Sequence, residues 1–180
     1  MNDDIQTILY SEQKIQDACQ RLGQQLTQDY QGKKPLVICV LKGAVPFTAD
    51  LIKQMDLYMD IDFIDVSSYH GGTQSSGDIQ MVKDIDEDVS DRDVLLIDDI
   101  VDTGHTLAYL KELLKKRGAA SVRVCMLMDK PEARQVEGIQ ADYVGFNVPN
   151  EFLVGYGLDY QGKYRNLPYV GILKPEIYQD

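Results

Sequence analysis

The stretch Val94–Leu107, "VLLIDDIVDTGHTL", decides how this chain is read. Its first four residues are a continuous apolar run, the pattern of a strand covered on both faces. Its last residue opens "LAYLKELLKKRGAA", which sets Leu107, Leu110, Leu113 and Leu114 on one face of a helix. Lys115, Lys116 and Arg117 suit the C-terminus of that helix, and Gly118 can end it. Between strand and helix, Asp102–Thr106 ("DTGHT") supplies two threonine hydroxyls, a glycine that lets backbone approach a ligand, and the unpaired N–H groups of a helix start. Such a turn can hold an anion, or it can be an ordinary turn and helix cap.

Asp98 and Asp99 stand beside this cradle and would repel a phosphate placed on them. Carboxylates do accept hydrogen bonds from vicinal hydroxyls, and they hold magnesium directly or through water. A ribose 5-phosphate offers both ends: phosphate for Asp102–Thr106, hydroxyls for the acid pair. Solvated strand-end acids are the plainer alternative. Asp102, between the two groups, can act as a general base or cap the turn.

Working outward, similar units recur. Ser11 caps a helix on which Ile15, Cys19, Leu22 and Leu26 share a face. "PLVICVL" (35–41) is a second buried strand, ending at Lys42-Gly43, and "AVPFTADLIKQM" reads as the next helix. "MDIDFIDV" and "IQMVKDI" are strands around a polar loop, "SSYHGGTQSSGD", of the kind that forms lids. "VRVCMLM" is another strand ending at Asp129-Lys130, and "ADYVGFNV" and "YVGIL" are expected to complete an α/β fold with a mainly parallel sheet. In such sheets ligands bind at the carboxyl ends of the strands, where Lys42-Gly43, Asp98–Thr106 and Asp129-Lys130 would meet.

The 180 residues fit one domain. A net charge of -11 opposes a broad nucleic-acid face, which needs clustered Lys and Arg. Three scattered cysteines without C-x-x-C spacing are expected to be reduced core thiols, and the lone His70 and His105 do not suggest a metal site. "MNDDIQTILY" lacks the basic and apolar regions of a secretory leader, and no run approaches membrane-span length, so a cytoplasmic protein without membrane contact is expected.

"VLLIDDIVDTGHTL" closely resembles the phosphoribosyl-pyrophosphate-binding motif of type I phosphoribosyltransferases: an apolar strand, two acids, two apolar residues, then Asp-Thr-Gly-x-Thr. Four further segments, in order, resemble the short bacterial hypoxanthine-guanine branch of that family: "VLKGAVPF", its pyrophosphate loop; "SSYHGGTQSSG", its lid; "DKPEAR", its base-side loop; and "FLVGYGLDYQGKYRNLPYVGIL", its base and magnesium segment. The resemblance implies the type I fold: helices flanking a mainly parallel sheet, with a small hood built from the N- and C-terminal segments and a flexible lid. It also implies transfer of 5-phosphoribosyl from phosphoribosyl pyrophosphate to N9 of a 6-oxopurine.

Carried over residue by residue, the resemblance implies that Asp98 and Asp99 hold the ribose hydroxyls and magnesium (Mg2+). Asp102, Thr103, Gly104, His105 and Thr106 hold the 5′-phosphate, with Asp102 also exchanging the proton at purine N7. Lys42, Gly43 and Arg165 grip pyrophosphate, across a Leu41-Lys42 peptide that can be cis. Lys130 donates to the 6-oxo group, Phe152 stacks on the purine, the Leu153 backbone reads its pyrimidine edge, and Asp159 helps hold magnesium. Ser68 and Tyr69 close the lid, and the family suggests homodimers or homotetramers. His105 fills the variable position of the motif.

Two other classes share parts of this pattern. "VLLIDDI", "MLMDKP" and "ILKP" imitate a signalling receiver domain, but 97 residues precede Asp98 and only six follow Lys174, too few for that fold's last helix. A phosphoribosyltransferase-fold RNA-binding regulator is opposed by the acidic composition.

Overall fold

The structure, a computed structural model, describes residues 1–68 and 79–179. In chain order the elements are β1 (Ile5–Tyr10), α1 (Glu12–Asp29), β2 (Leu36–Leu41), α2 (Val45–Ile52), β3 (Asp60–Ser68), β4 (Ile79–Lys83), β5 (Asp93–Val101), α3 (His105–Lys116), β6 (Ser121–Asp129), β7 (Tyr143–Asn147), β8 (Leu153–Val154), β9 (Val170–Leu173) and the single turn α4 (Pro175–Tyr178). Of the two lid residues, Ser68 ends β3 and Tyr69 lies outside the described residues.

Six strands form the main sheet in the order β4-β3-β2-β5-β6-β7. All neighbours run parallel except β4, which is antiparallel to β3. The period-2 alternation of a strand divides the core between its faces. On β2, Leu36, Ile38 and Val40 pack with Leu107, Leu110 and Leu114 of α3. Val37 points the other way and packs with Ile15, Leu22 and Leu26 of α1 and with Phe47 and Leu51 of α2. The helix stripes read from the sequence are the stripes that are buried, and the Ser11 hydroxyl accepts the Lys14 N–H at 3.3 Å to cap α1.

One expectation needs correction. "YVGIL" is not in the main sheet: as β9 it lies between β1 and β8 in a separate antiparallel sheet, so the two chain ends build the hood together. No helix separates β6 from β7; only a 3-10 turn, Pro131–Ala133, follows Lys130. The three cysteines are free and buried, as expected.

One buried acid ties β3 to the loop after β4. Asp62 on β3 is 5% exposed. Its carboxylate accepts N–H bonds from Phe63 at 2.7 Å, Asp86 at 2.7 Å and Glu87 at 2.8 Å, pinning the loop after β4. A buried carboxylate needs such partners to offset its desolvation.

Candidate active site

Because β2, β5 and β6 are adjacent and parallel, in register at Cys39, Ile97 and Cys125, their C-terminal ends share one edge. Lys42-Gly43, Asp102–Thr106 and Lys130 leave from that edge, where ligands of open parallel sheets bind. β5 runs further than its apolar residues alone suggest. Asp98 and Ile100 still pair with Met126 and Met128 of β6, so the acid pair is fixed by the sheet rather than by a loop.

A cavity of about 220 Å3 opens at this edge. Asp98, Asp99, Asp102, Thr103, Gly104 and Thr106 line it, with apolar walls from Val40, Leu41, Val66 and Met126. Burial, and then the charge of Asp99, push the Asp98 carboxyl well above the usual carboxylate range. Burial raises Asp99 as well. Two carboxylates crowded in this way suit a divalent cation or donated hydroxyl hydrogens, either of which relieves their repulsion. Gly104 has φ of +92°, a left-handed conformation that glycine adopts without penalty, at the N-terminus of α3.

On the β2 side the Leu41-Lys42 peptide is cis. A side chain at Gly43 would overlap the Asp99 carboxylate, and one at Gly157 would overlap the Gly43 carbonyl. These close approaches hold the Lys42-Gly43 turn between the acid pair and the Gly155–Gly157 turn. Arg165 is anchored there: one nitrogen donates to the Gly157 carbonyl at 2.6 Å and another pairs with Asp159 Oδ1 at 2.6 Å. Asp159 Oδ2 accepts the Gly162 N–H at 2.7 Å. Asp159 thus holds Arg165, and among the described residues no group of three or more His, Cys, Asp or Glu side chains gathers to hold a metal.

On the β6 side Lys130 is buried. Its Nζ donates to the Glu151 carbonyl at 3.1 Å and stands 3.8 Å from Asp102 Oδ2. An ammonium has three hydrogens, so this geometry leaves donor capacity for a ligand. Phe152 stacks on Tyr178 at a centroid distance of 4.6 Å and meets the edge of Tyr160. Leu153 pairs with Ile172 on the edge strand β8, and the Phe152 carbonyl takes the Leu173 N–H. By the alternation of an antiparallel ladder, the Leu153 N–H and carbonyl therefore point out from the sheet edge.

A phosphoribosyl transferase domain matches residues 6–161 of the chain. The chain is 57% identical over 178 residues to a hypoxanthine-guanine phosphoribosyltransferase of Streptococcus thermophilus, covering 99% of this chain and 98% of that protein. The chain belongs to the hypoxanthine-guanine phosphoribosyltransferase family. It is also 57% identical to the bifunctional protein TilS/HprT of Listeria monocytogenes, of whose length it spans 28%. A hypoxanthine phosphoribosyltransferase structure from Staphylococcus aureus superposes with a TM-score of 0.96 at 50% identity, covering 100% of this chain and 97% of that one.

Within this phosphoribosyltransferase fold, the side chains of two predicted residues have protein partners of their own. The His105 side chain is exposed and absent from the cavity lining; its Nε2 lies 3.3 Å from Gln135 Oε1. Asp159 is engaged with Arg165, as above. Two supporting residues escape a reading of the sequence. Arg134 donates to the Asp102 carbonyl at 3.2 Å and pairs with the Asp129 carboxylate. Tyr156 donates its hydroxyl to Asp50 on α2 at 2.7 Å, bolting the Gly155–Gly157 turn to the main body. Arg134 lies inside "DKPEAR", but sequence alone gives no hint of which carbonyl it meets.

Proposed function

We propose that this chain is a purine salvage enzyme that transfers the 5-phosphoribosyl group of phosphoribosyl pyrophosphate to N9 of hypoxanthine or guanine, releasing pyrophosphate and IMP or GMP. The observation that carries this reading is the gathering, at one sheet edge, of an acid pair, an anion-binding helix start and a buried lysine. The 5′-phosphate sits on Asp102–Thr106, whose hydroxyls and helix N-terminus supply donors. Asp98 and Asp99 hold the ribose hydroxyls.

The same acid pair is a fitting seat for Mg2+, with water and substrate oxygens as the remaining ligands. When bound, the ion screens the negative charge of the pyrophosphate. The Lys42-Gly43 turn and Arg165 face the leaving group. Cleavage of the C1′–oxygen bond builds positive charge on the sugar and negative charge on the leaving pyrophosphate, so carboxylates belong beside the ribose and cations beyond it.

Lys130 donates to the 6-oxo group, Phe152 stacks on the base and the Leu153 backbone reads its pyrimidine edge. As N9 bonds to C1′, the Asp102 carboxylate takes the proton leaving N7. Ser68 and Tyr69 close over the sugar and keep water away.

The acting unit is a homodimer or homotetramer, a reading supported by the exposed apolar side chains of Ile61 and Phe63 on β3 and Val82 on β4. Its setting is the cytoplasm, consistent with three free thiols. Among the described residues no helix is long and apolar enough to cross a membrane. The net charge of -11 supports small-molecule rather than nucleic-acid partners.

The test is to mix the protein with magnesium, phosphoribosyl pyrophosphate and, separately, hypoxanthine, guanine, xanthine and adenine. Nucleotide from hypoxanthine and guanine but not adenine, with the rate much reduced in Asp102→Asn, supports both activity and base. No nucleotide from any base sinks the reading.

A further inference from the structure

We propose that the segment Arg134–Val136 is a strap that turns the peptide groups of the phosphate loop, so that the Thr103 and Gly104 N–H groups face the anion, and that Arg134 is its positioning residue. This rests on the reading of Asp102–Thr106 as the 5′-phosphate site. The three donor positions of the Arg134 guanidinium reach three different segments. Nε donates to the Asp102 carbonyl at 3.2 Å, Nη1 donates to the Ile139 carbonyl at 2.7 Å, and Nη2 pairs with the Asp129 carboxylate. The next two residues continue the contact: the Gln135 and Val136 N–H groups both donate to the Thr103 carbonyl, at 2.9 and 3.2 Å.

In a planar trans peptide the carbonyl and the next residue's N–H point in opposite directions. Drawing the Asp102 carbonyl down onto Arg134 therefore turns the Thr103 N–H up. Drawing the Thr103 carbonyl onto Gln135 and Val136 does the same for the Gly104 N–H. Thr103 and Gly104 line the cavity, and among the described residues no backbone or side-chain acceptor takes either N–H. The fit beneath the loop is tight: a Cβ on Gly104 would come within 2.9 Å of Arg134 Cδ and 3.6 Å of Val136 Cβ. Donors fixed before the anion arrives need no reorganisation when it binds, which is the condition for strong electrostatic stabilisation.

The arrangement makes a specific demand. Without the guanidinium, the Asp102 carbonyl is free to rotate toward the cavity, replacing a donor with an acceptor. Binding of the phosphate suffers; recognition of the base by Lys130 and Leu153 does not. The experiment compares wild type with Arg134→Ala and Arg134→Lys, measuring kcat, KM for phosphoribosyl pyrophosphate and for hypoxanthine, and Kd for IMP against inosine, which lacks the phosphate. The alanine variant is expected to raise KM for phosphoribosyl pyrophosphate and weaken IMP about tenfold, while inosine affinity and KM for hypoxanthine stay within about twofold. Added guanidinium ion should recover part of the loss.

The lysine variant keeps a cation for Asp129 but cannot reach all three partners, so it should fold and show an intermediate defect. Phosphate-side values within about twofold of wild type in both variants overturn the strap. A loss falling equally on IMP and inosine also overturns it, since that is general damage. If wild type itself binds IMP no better than inosine, the phosphate-site reading fails and takes the strap with it, an outcome visible without any variant.

Discussion

Replacing Lys130 by Met tests the base-side reading most directly, because the structure separates its functional effect from its structural one. The lysine side chain is 11% exposed, donates to the Glu151 carbonyl and lies 3.8 Å from an Asp102 carboxylate that is itself 53% exposed. An ion pair with so exposed a partner is screened and contributes well under about 1 kcal/mol to folding. Glu151 is exposed, so water can replace the lost donor at its carbonyl. Methionine fills a similar volume at this buried position. Folding stability should therefore change by no more than about 1 kcal/mol. In the substrate complex, by contrast, one hydrogen bond from a charged donor to the 6-oxo group is lost, worth about 1.5–3 kcal/mol. That corresponds to roughly a 10- to 150-fold fall in kcat/KM for hypoxanthine. Discrimination against adenine should fall with it. Steady-state nucleotide formation with each base, alongside urea denaturation, reads both quantities. A fall in kcat/KM below about threefold, or a stability loss as large as the catalytic one, refutes the assignment of Lys130 to the base.

Three further outcomes are expected. Gly43→Ala places a methyl group where the Asp99 carboxylate lies, so activity should fall by about a hundredfold while overpacking costs about 1–3 kcal/mol of stability; near-wild-type kcat with magnesium would show that the turn has room to move. Asp62→Ala strands three N–H groups outside the cavity lining and should cost about 3 kcal/mol or more in urea denaturation while leaving kcat/KM unchanged under native conditions. Arg117, bonded to both oxygens of Asp84 at 2.7 Å, holds that carboxyl below its usual range, so the pair stabilises the fold above the unfolded value near 3.9 and the gain is lost as pH falls through the folded value. The thermal midpoint of wild type should exceed that of Asp84→Asn modestly at pH 7 and converge with it below about pH 4, whereas a gap that widens in acid contradicts the sign.

The main sheet was legible because its strands and helices announce themselves by period: the apolar runs of β2, β5 and β6 and the leucine stripe of α3 have no other stable use. The meeting of the strand-end loops was legible for the same reason, since parallel neighbours bring their loops to one edge whatever those loops contain. β1 was hidden because Gln6 and Thr7 interrupt the apolar residues of "IQTILY", which becomes a strand only by pairing with β9, more than 150 residues away. The destination of "YVGIL" was hidden by the same fact, as an apolar strand does not encode its partner. Arg134 and Tyr156 were out of reach for another reason: each acts on a backbone carbonyl or on a single carboxylate in a distant segment, and such targets leave no mark in composition or spacing.

Under the proposed function, the placement of charge accounts for how so acidic a chain would manage so anionic a substrate. The cavity is lined by three carboxylates, Asp98, Asp99 and Asp102, and by no lysine or arginine among the described residues. On that reading its anion donors are neutral: threonine hydroxyls, peptide N–H groups and a helix start. Neutral donors hold a phosphate without neutralising the carboxylates a few ångströms away, so those remain available to a sugar that becomes positive as its bond to pyrophosphate breaks. The cations stand apart from that lining: Arg165 pairs with Asp159 and Lys130 stands beside Asp102, and the proposed function gives Arg165 and Lys42 to the leaving group and Lys130 to the base. Moving a cation into the phosphate loop would tighten the ground state and also pair with Asp98 or Asp99, removing the charge that favours the transition state. A Thr106→Lys exchange should therefore lower KM for phosphoribosyl pyrophosphate and lower kcat more; a variant with lower KM and undiminished kcat would mean that the acid pair acts only as a magnesium seat.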